Sequence, residues 1–164
     1  MRIATAMLAL LALVGADASA QKGGPSGARA LPYWASIGPA HARMRTGPAR
    51  TYPASWLYQR ADLPVRVVAV FKEWRKVQDP DGTEGWMQAN LLRSTRTAIV
   101  RGTRPIDLRE QPAAGARLSY RAAPGVVGRL SQCGSGWCRL DVQGQAGFAE
   151  IGGLWGVEAA EQLP

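Results

Sequence analysis

Cys133 and Cys138 are the only cysteines of this chain, set five apart in the stretch QCGSGWCRL with Gly-Ser-Gly-Trp between them. Such a pair can serve as half a metal site, as a redox dithiol or as a covalent staple. A zinc site needs two further ligands, and the single histidine, His41, cannot complete one. Redox dithiols usually space their cysteines by two at a helix start. Asp79, Asp81 and Glu84 invite a calcium reading, but a proline intervenes and six or more oxygens are needed. The Asp79–Gly82 stretch reads instead as a turn, with Pro80 presetting φ and Gly82 accepting a positive one. Nucleophilic catalysis needs an activated thiol or hydroxyl beside a base. No cysteine or serine here lies in a nucleophile motif, His41 precedes the first expected strand, and no carboxylate sits in an apolar motif that would raise its pKa. The residues point to a protein that is not an enzyme and carries no cofactor or metal.

The elements that must position these residues begin after a targeting segment. Arg2 supplies a positive start, residues 3–14 are apolar except Thr5, and Ala18-Ser-Ala20 offers small residues for cleavage before Gln21. The apolar run is shorter than the roughly 20 residues that span a bilayer. Residues 1–20 therefore read as a signal peptide, and the product as periplasmic or secreted, with no stable membrane insertion. In that oxidising setting the cysteine pair is expected to be a disulfide. The chain carries 20 Lys and Arg against 12 Asp and Glu, a net charge of +8. The excess lies in the first half, with ten basic against five acidic residues from Ala35 to Ile99. In an exported protein that balance disfavours nucleic acid and favours an anionic envelope polymer or an acidic protein face.

An internal repeat organises the rest of the chain. Gly82, Gly85, Trp86 and Leu92 stand 62 residues before Gly144, Gly147, Phe148 and Leu154, and other blocks match at offsets of 60 to 64. Each unit reads as all-β: residues 65–71 and 74–78 are short, rich in β-branched and aromatic residues, and bounded by turn formers. Proline and glycine recur too often for a long amphipathic helix. The expected organisation is a signal peptide (1–20), a flexible segment (21–36), a first unit (37–93), a second, degenerate unit (97–157) and a tail (158–164). Matched to residues 71–77 of the first unit, the QCGSGWCRL segment becomes a hairpin with the cysteines as near cross-strand neighbours.

The order of motifs from Met44 to Leu92 resembles the bacterial SH3-like domain, in the tandem periplasmic form of α-proteobacteria. Arg45, Gly47, Pro48, Tyr52, Pro53, Trp56, Tyr58, Leu63, Pro64, Trp74, Arg75, Asp79, Asp81, Gly82, Gly85, Trp86 and Leu92 stand at family positions. The second unit fits in part, through Pro112, Pro124, Gly125, Val127, Trp137, Cys138 and residues 154–156, while Gln111 replaces the glycine, Tyr-Pro is missing and Phe148 stands for the Gly-Trp aromatic. The resemblance implies two tandem, partly open β-barrels and a binding role, often toward the cell wall. Trp74 and Trp137 open equivalent strands and are expected in the cores. Tyr52, Trp56, Tyr58 and Trp86 lie at loop edges, where flat faces stack on extended or sugar-containing ligands; alternatively they cover the barrel edge and the seam between units. The second unit lacks three of these four equivalents, with Tyr120 the only remnant, so the groove is expected on the first. Arg43, Arg45, Arg50, Arg60 and Arg66 cluster around it, suited to carboxylates and phosphates or forming a solvated face. Two functions emerge: a module recognising peptidoglycan or a related envelope polymer through Tyr52, Trp56, Tyr58, Trp86, Arg45 and Arg60, or a subunit or regulator of an envelope enzyme that uses the arginine face and a sheet edge.

Overall fold

The computed structural model describes residues 29–164. The signal peptide expected over 1–20, with its cleavage site, lies outside them. Fourteen strands are arranged in two sets of seven. The first set is β1 (Tyr33–Ile37), β2 (Ala42–Arg45), β3 (Ala54–Tyr58), β4 (Pro64–Phe71), β5 (Trp74–Gln78), β6 (Glu84–Gln88) and β7 (Leu92–Arg93). The second is β8 (Thr97–Val100), β9 (Ile106–Arg109), β10 (Leu118–Ala122), β11 (Val127–Gly134), β12 (Trp137–Val142), β13 (Gln145–Glu150) and β14 (Leu154–Trp155). A one-turn 3-10 segment precedes β7 and β14 (Ala89–Leu91, Ile151–Gly153).

Each set forms one antiparallel sheet, in the orders β3-β2-β6-β5-β4-β1-β7 and β10-β9-β13-β12-β11-β8-β14. Adding seven to each label of the first order yields the second, so the duplication seen in the sequence is a duplication of topology. The fold is all-β, two tandem SH3-like, partly open barrels. In each, a curved sheet wraps one core and leaves two edges, β3 and β7 in the first and β10 and β14 in the second.

The repeat also reaches further upstream than the sequence indicated. Tyr33–Ser36, placed by sequence in the flexible segment, pair in register with β4, Trp34 opposite Arg66 and Ala35 opposite Val65. β8 pairs with β11 in the same way. Ala35 and Ile37 are buried, as are Ala98 and Val100 63 residues on. Each of these strands closes its barrel, and burial of alternate small and branched residues holds it there.

Period-two alternation fills the cores. The first holds Ile37, Met44, Tyr58, Val65, Val67, Val77 and Met87; the second is smaller in its side chains, with Leu108, Ala122, Cys133, Cys138, Leu140 and Ala149. The repeated glycines Gly85 and Gly147 serve close approach between strands. A Cβ on Gly85 would lie 2.5 Å from Met44 Cγ and 2.9 Å from the Arg45 carbonyl oxygen, and one on Gly147 2.8 Å from Leu108 Cβ. At the tip of the β11–β12 hairpin Ser135 and Gly136 both have positive φ (50° and 83°), the backbone of a two-residue turn matched to strand twist.

The two units share a seam. Trp34 meets Trp155 edge to face with ring centroids 4.7 Å apart, and its indole N–H donates to Glu158 Oε1 at 2.8 Å. Arg66 lies 5.7 Å over the Trp34 ring. Arg129 pairs with Asp62 at 3.2 Å, while Ile99 and Val127 of the second unit pack against the first core.

Candidate binding surface

The sequence assigned six residues to one surface, and the strand register distributes them over several. On β2, Ala42 and Met44 point into the core, so Arg43 and Arg45 point out. On β6, Gly85 and Met87 point in and Trp86 out. Arg45 is directly opposite Trp86, and Trp86 opposite Lys76 on β5. Trp86 is thus half-buried on the outer face, flanked by two basic side chains. Trp56, opposite Met44, belongs to the inner face. Because β3 is an edge strand the core ends beneath it, and Trp56 remains 57% exposed. Trp56 and Trp86 therefore do not line one groove. Counting alternate positions from Gly85 and Met44 carries this signal in the sequence.

Tyr58 does not belong to the surface. It is 6% exposed, opposite Ala42, and its hydroxyl donates to Asp79 Oδ2 at 2.8 Å. Asp79 is itself buried and accepts the backbone N–H groups of Asp81 (3.0 Å) and Thr83 (2.8 Å) at Oδ1. One carboxylate thus shapes the turn and anchors the phenol. Burial, and then the hydrogen bond to and charge of Asp79, hold the Tyr58 hydroxyl well above the ordinary phenol range.

Both arginines of the set are engaged. Arg45 Nη1 donates to the Tyr52 carbonyl at 2.7 Å, as Arg109 Nη1 donates to the Ala116 carbonyl at 2.7 Å in the second unit. The repeated arginine braces the loop between two edge-side strands. Arg60 Nη1 donates to the Gly125 carbonyl at 2.8 Å, so it belongs to the seam. Tyr52 (46% exposed) rests on Gly47, where a Cβ would come within 2.5 Å of its ring. What remains free is Trp56 on the inner side of the edge, Leu57 opposite the exposed Arg43 on its outer side, and Tyr52 and Arg50 in the loop between β2 and β3.

The register also gives Trp56 a counterpart. Tyr120 lies opposite Leu108 as Trp56 lies opposite Met44, and it is 41% exposed. An exposed aromatic on the inner side of the open edge is therefore common to both units. The expected core tryptophans differ from each other: Trp74 is buried, outside the main cluster and opposite Gln88, while Trp137 is half-buried.

Cys133 and Cys138 are cross-strand partners joined in a disulfide, with Cα atoms 4.1 Å apart. Among the described residues no three His, Cys, Asp or Glu side chains are grouped to hold a metal, and no helix is long and apolar enough to cross a membrane.

Fold and register together define a tandem of SH3-like barrels. The chain belongs to the family described as the bacterial SH3 domain, whose model matches residues 38–94 and again 104–156. Domains of this family are generally binding modules, often for cell-wall components. Comparison with the curated proteins found no match. Two solved structures are similar to this chain at 10% identity and a TM-score of 0.35: NlpC2 from Trichomonas vaginalis, with 78% of this chain and 49% of that one covered, and NlpC1 from the same organism, with 79% and 47%. The chain spans about half the length of those structures.

Proposed function

We propose that this protein is a non-catalytic binding module of the bacterial envelope, exported to the periplasm or secreted, whose first unit recognises peptidoglycan or a related envelope polymer. The observation that carries the reading is Trp56, 57% exposed at the open edge of the barrel. An indole left in water on an edge strand offers a flat face at low entropic cost, suited to the apolar face of a sugar ring. Tyr52, exposed in the loop that leads into the same strand, extends the apolar area, and the exposed Arg50 of that loop supplies a cation for the carboxylates of such a polymer. Arg45 and Trp86 support this edge from the outer face, while Tyr58 and Arg60 are engaged elsewhere. The disulfide fits an oxidising compartment.

Co-sedimentation with purified sacculi tests the proposal. Wild type is expected in the pellet at low salt, with Trp56→Ala reduced by roughly tenfold, the worth of one stacked aromatic. Wild type remaining in the supernatant, or pelleting no better than Trp56→Ala, would overturn it.

A further inference from the structure

The second unit carries a stretch of chain on a surface that, among the described residues, the first unit leaves uncovered. After β14, residues 158–164 fold back onto the start of β8 and the end of β11. Leu163 and Cys133 pair backbone to backbone, at 3.1 and 3.0 Å, and Gln132 N donates to the Pro164 carbonyl at 3.1 Å. The Leu163 side chain packs against the second core. Two residues earlier, the Glu161 carboxylate is buried and receives Arg96 through Nη1 at 2.6 Å and Nη2 at 3.1 Å. The docked segment thus offers a carboxylate to a guanidinium and, two residues on, an apolar residue to a free strand edge.

Strand pairing locates the same place in the first unit. Tyr33 meets Val67 where Arg96 meets Leu130. Val70 faces Arg75 as Cys133 faces Cys138. Ala89 stands in the 3-10 turn where the second unit has Ile151, and Arg93 on the last strand where it has Trp155. Here the first unit has a pocket of about 170 Å³, lined by Arg29, Tyr33, Arg75, Ala89, Arg93 and Ser94 among others and by no carboxylate. None of its three arginines enters an ion pair among the described residues. β1 pairs with β4 only as far as Val67, so beyond it no strand among the described residues lies on that side of β4, and Val70 and Phe71 are 48% and 49% exposed. Arg75 is engaged by the Lys72 and Trp74 carbonyls, which leaves Arg29 and Arg93 as the available forks.

We infer that this pocket docks an extended peptide of a partner protein bearing Glu or Asp two residues before an apolar residue. The carboxylate seats between Arg29 and Arg93, and the apolar residue pairs its backbone with Val70, adding a short strand to the sheet. Charge sets aside the neighbouring residues 21–28, which hold a lysine and no carboxylate. The occupied site of the second unit is the template. The inference is independent of the sacculus reading, which uses the opposite sheet edge.

The test uses a labelled peptide of residues 157–164 as probe against the full exported chain, with binding read by fluorescence anisotropy and mapped by amide shifts. Saturable binding is expected, with shifts at Tyr33, Ala89 and Ser94. Arg29→Glu, outside every strand, and Arg93→Glu should each weaken it by about tenfold or more at unchanged melting temperature, and the probe with Glu161→Gln should weaken likewise. Four results would overturn the inference: no saturation at millimolar probe, equal binding by both variants, shifts confined to Arg96 and Leu130 through exchange with the resident tail, or a wild-type dimer in sedimentation whose own tail fills the pocket.

Discussion

The Tyr58 hydroxyl donates to Asp79 inside the first core, and this pair makes the stability of the protein depend on alkaline pH. The phenol pKa is raised by burial and by the Asp79 carboxylate. Below pH 10 the group is protonated in both states and its contribution is whole. Above that, the unfolded chain releases a proton that the folded chain keeps, so stability falls by about 1.4 kcal/mol per pH unit. Tyr58→Phe is expected to cost about 1–2 kcal/mol at neutral pH, through the lost bond to a charged acceptor. The gap between wild type and variant, read from urea midpoints, should then narrow from pH 10 upward; a constant gap would mean that the phenol is not held protonated. Tyr58 was not legible as a core residue because its strand exposes its first four positions and buries only the last. The edge of a sheet is set by tertiary closure, which local alternation does not report. Asp79, by contrast, was legible as a turn former, and its second role toward Tyr58 follows from burial alone.

At the scale of strands, the repeated glycines before Trp86 and Phe148 were visible as a motif, and their cause is the close approach of β6 to its neighbour β2 and of β13 to its neighbour β9. Gly85→Ala should lower stability by about 1–3 kcal/mol, since its Cβ meets a backbone carbonyl as well as Met44. A thermal melt monitored by near-UV dichroism would report this. The hairpins were legible because paired positive-φ residues and β-branched runs are local signals. β1 was not: it lies between Pro32 and Gly38-Pro39 and holds a single β-branched residue, Ile37. Such a strand exists only because β4 offers it an edge. The disulfide braces one hairpin, closing a loop worth about 2 kcal/mol. Dithiothreitol is expected to lower the unfolding free energy of the second unit by roughly that amount, read from urea midpoints, while leaving unchanged the sacculus binding proposed for the first. Loss of binding with an intact fold would give the disulfide a larger role.

Across the whole molecule, the short linker from Ser94 to Arg96 and the tail act together. Arg96 reaches both Glu161 and the Gly156 carbonyl, and Glu158 accepts the Trp34 indole of the other unit. Glu161→Ala strands a partly buried guanidinium and should cost about 2 kcal/mol. If the tail also fixes the seam, the variant should quench Trp34 and Trp155 fluorescence differently from wild type before any unfolding. The sequence marked residues 158–164 only as a tail, since one carboxylate meeting an arginine 65 positions away has no local signature.

Two sheets with the same strand order, joined by a short linker, carry a hazard during folding: a strand of one unit can enter its equivalent place in the other. Here the two interiors are cut to different sizes. Met44, Tyr58 and Met87 of the first correspond to Leu108, Ala122 and Ala149 of the second. A β3 misplaced into the second barrel would force the Tyr58 ring into the space of an alanine, and a misplaced β10 would leave a ring-sized void in the first. The degeneracy of the repeat is thereby a sorting code, which lets each strand find its own sheet.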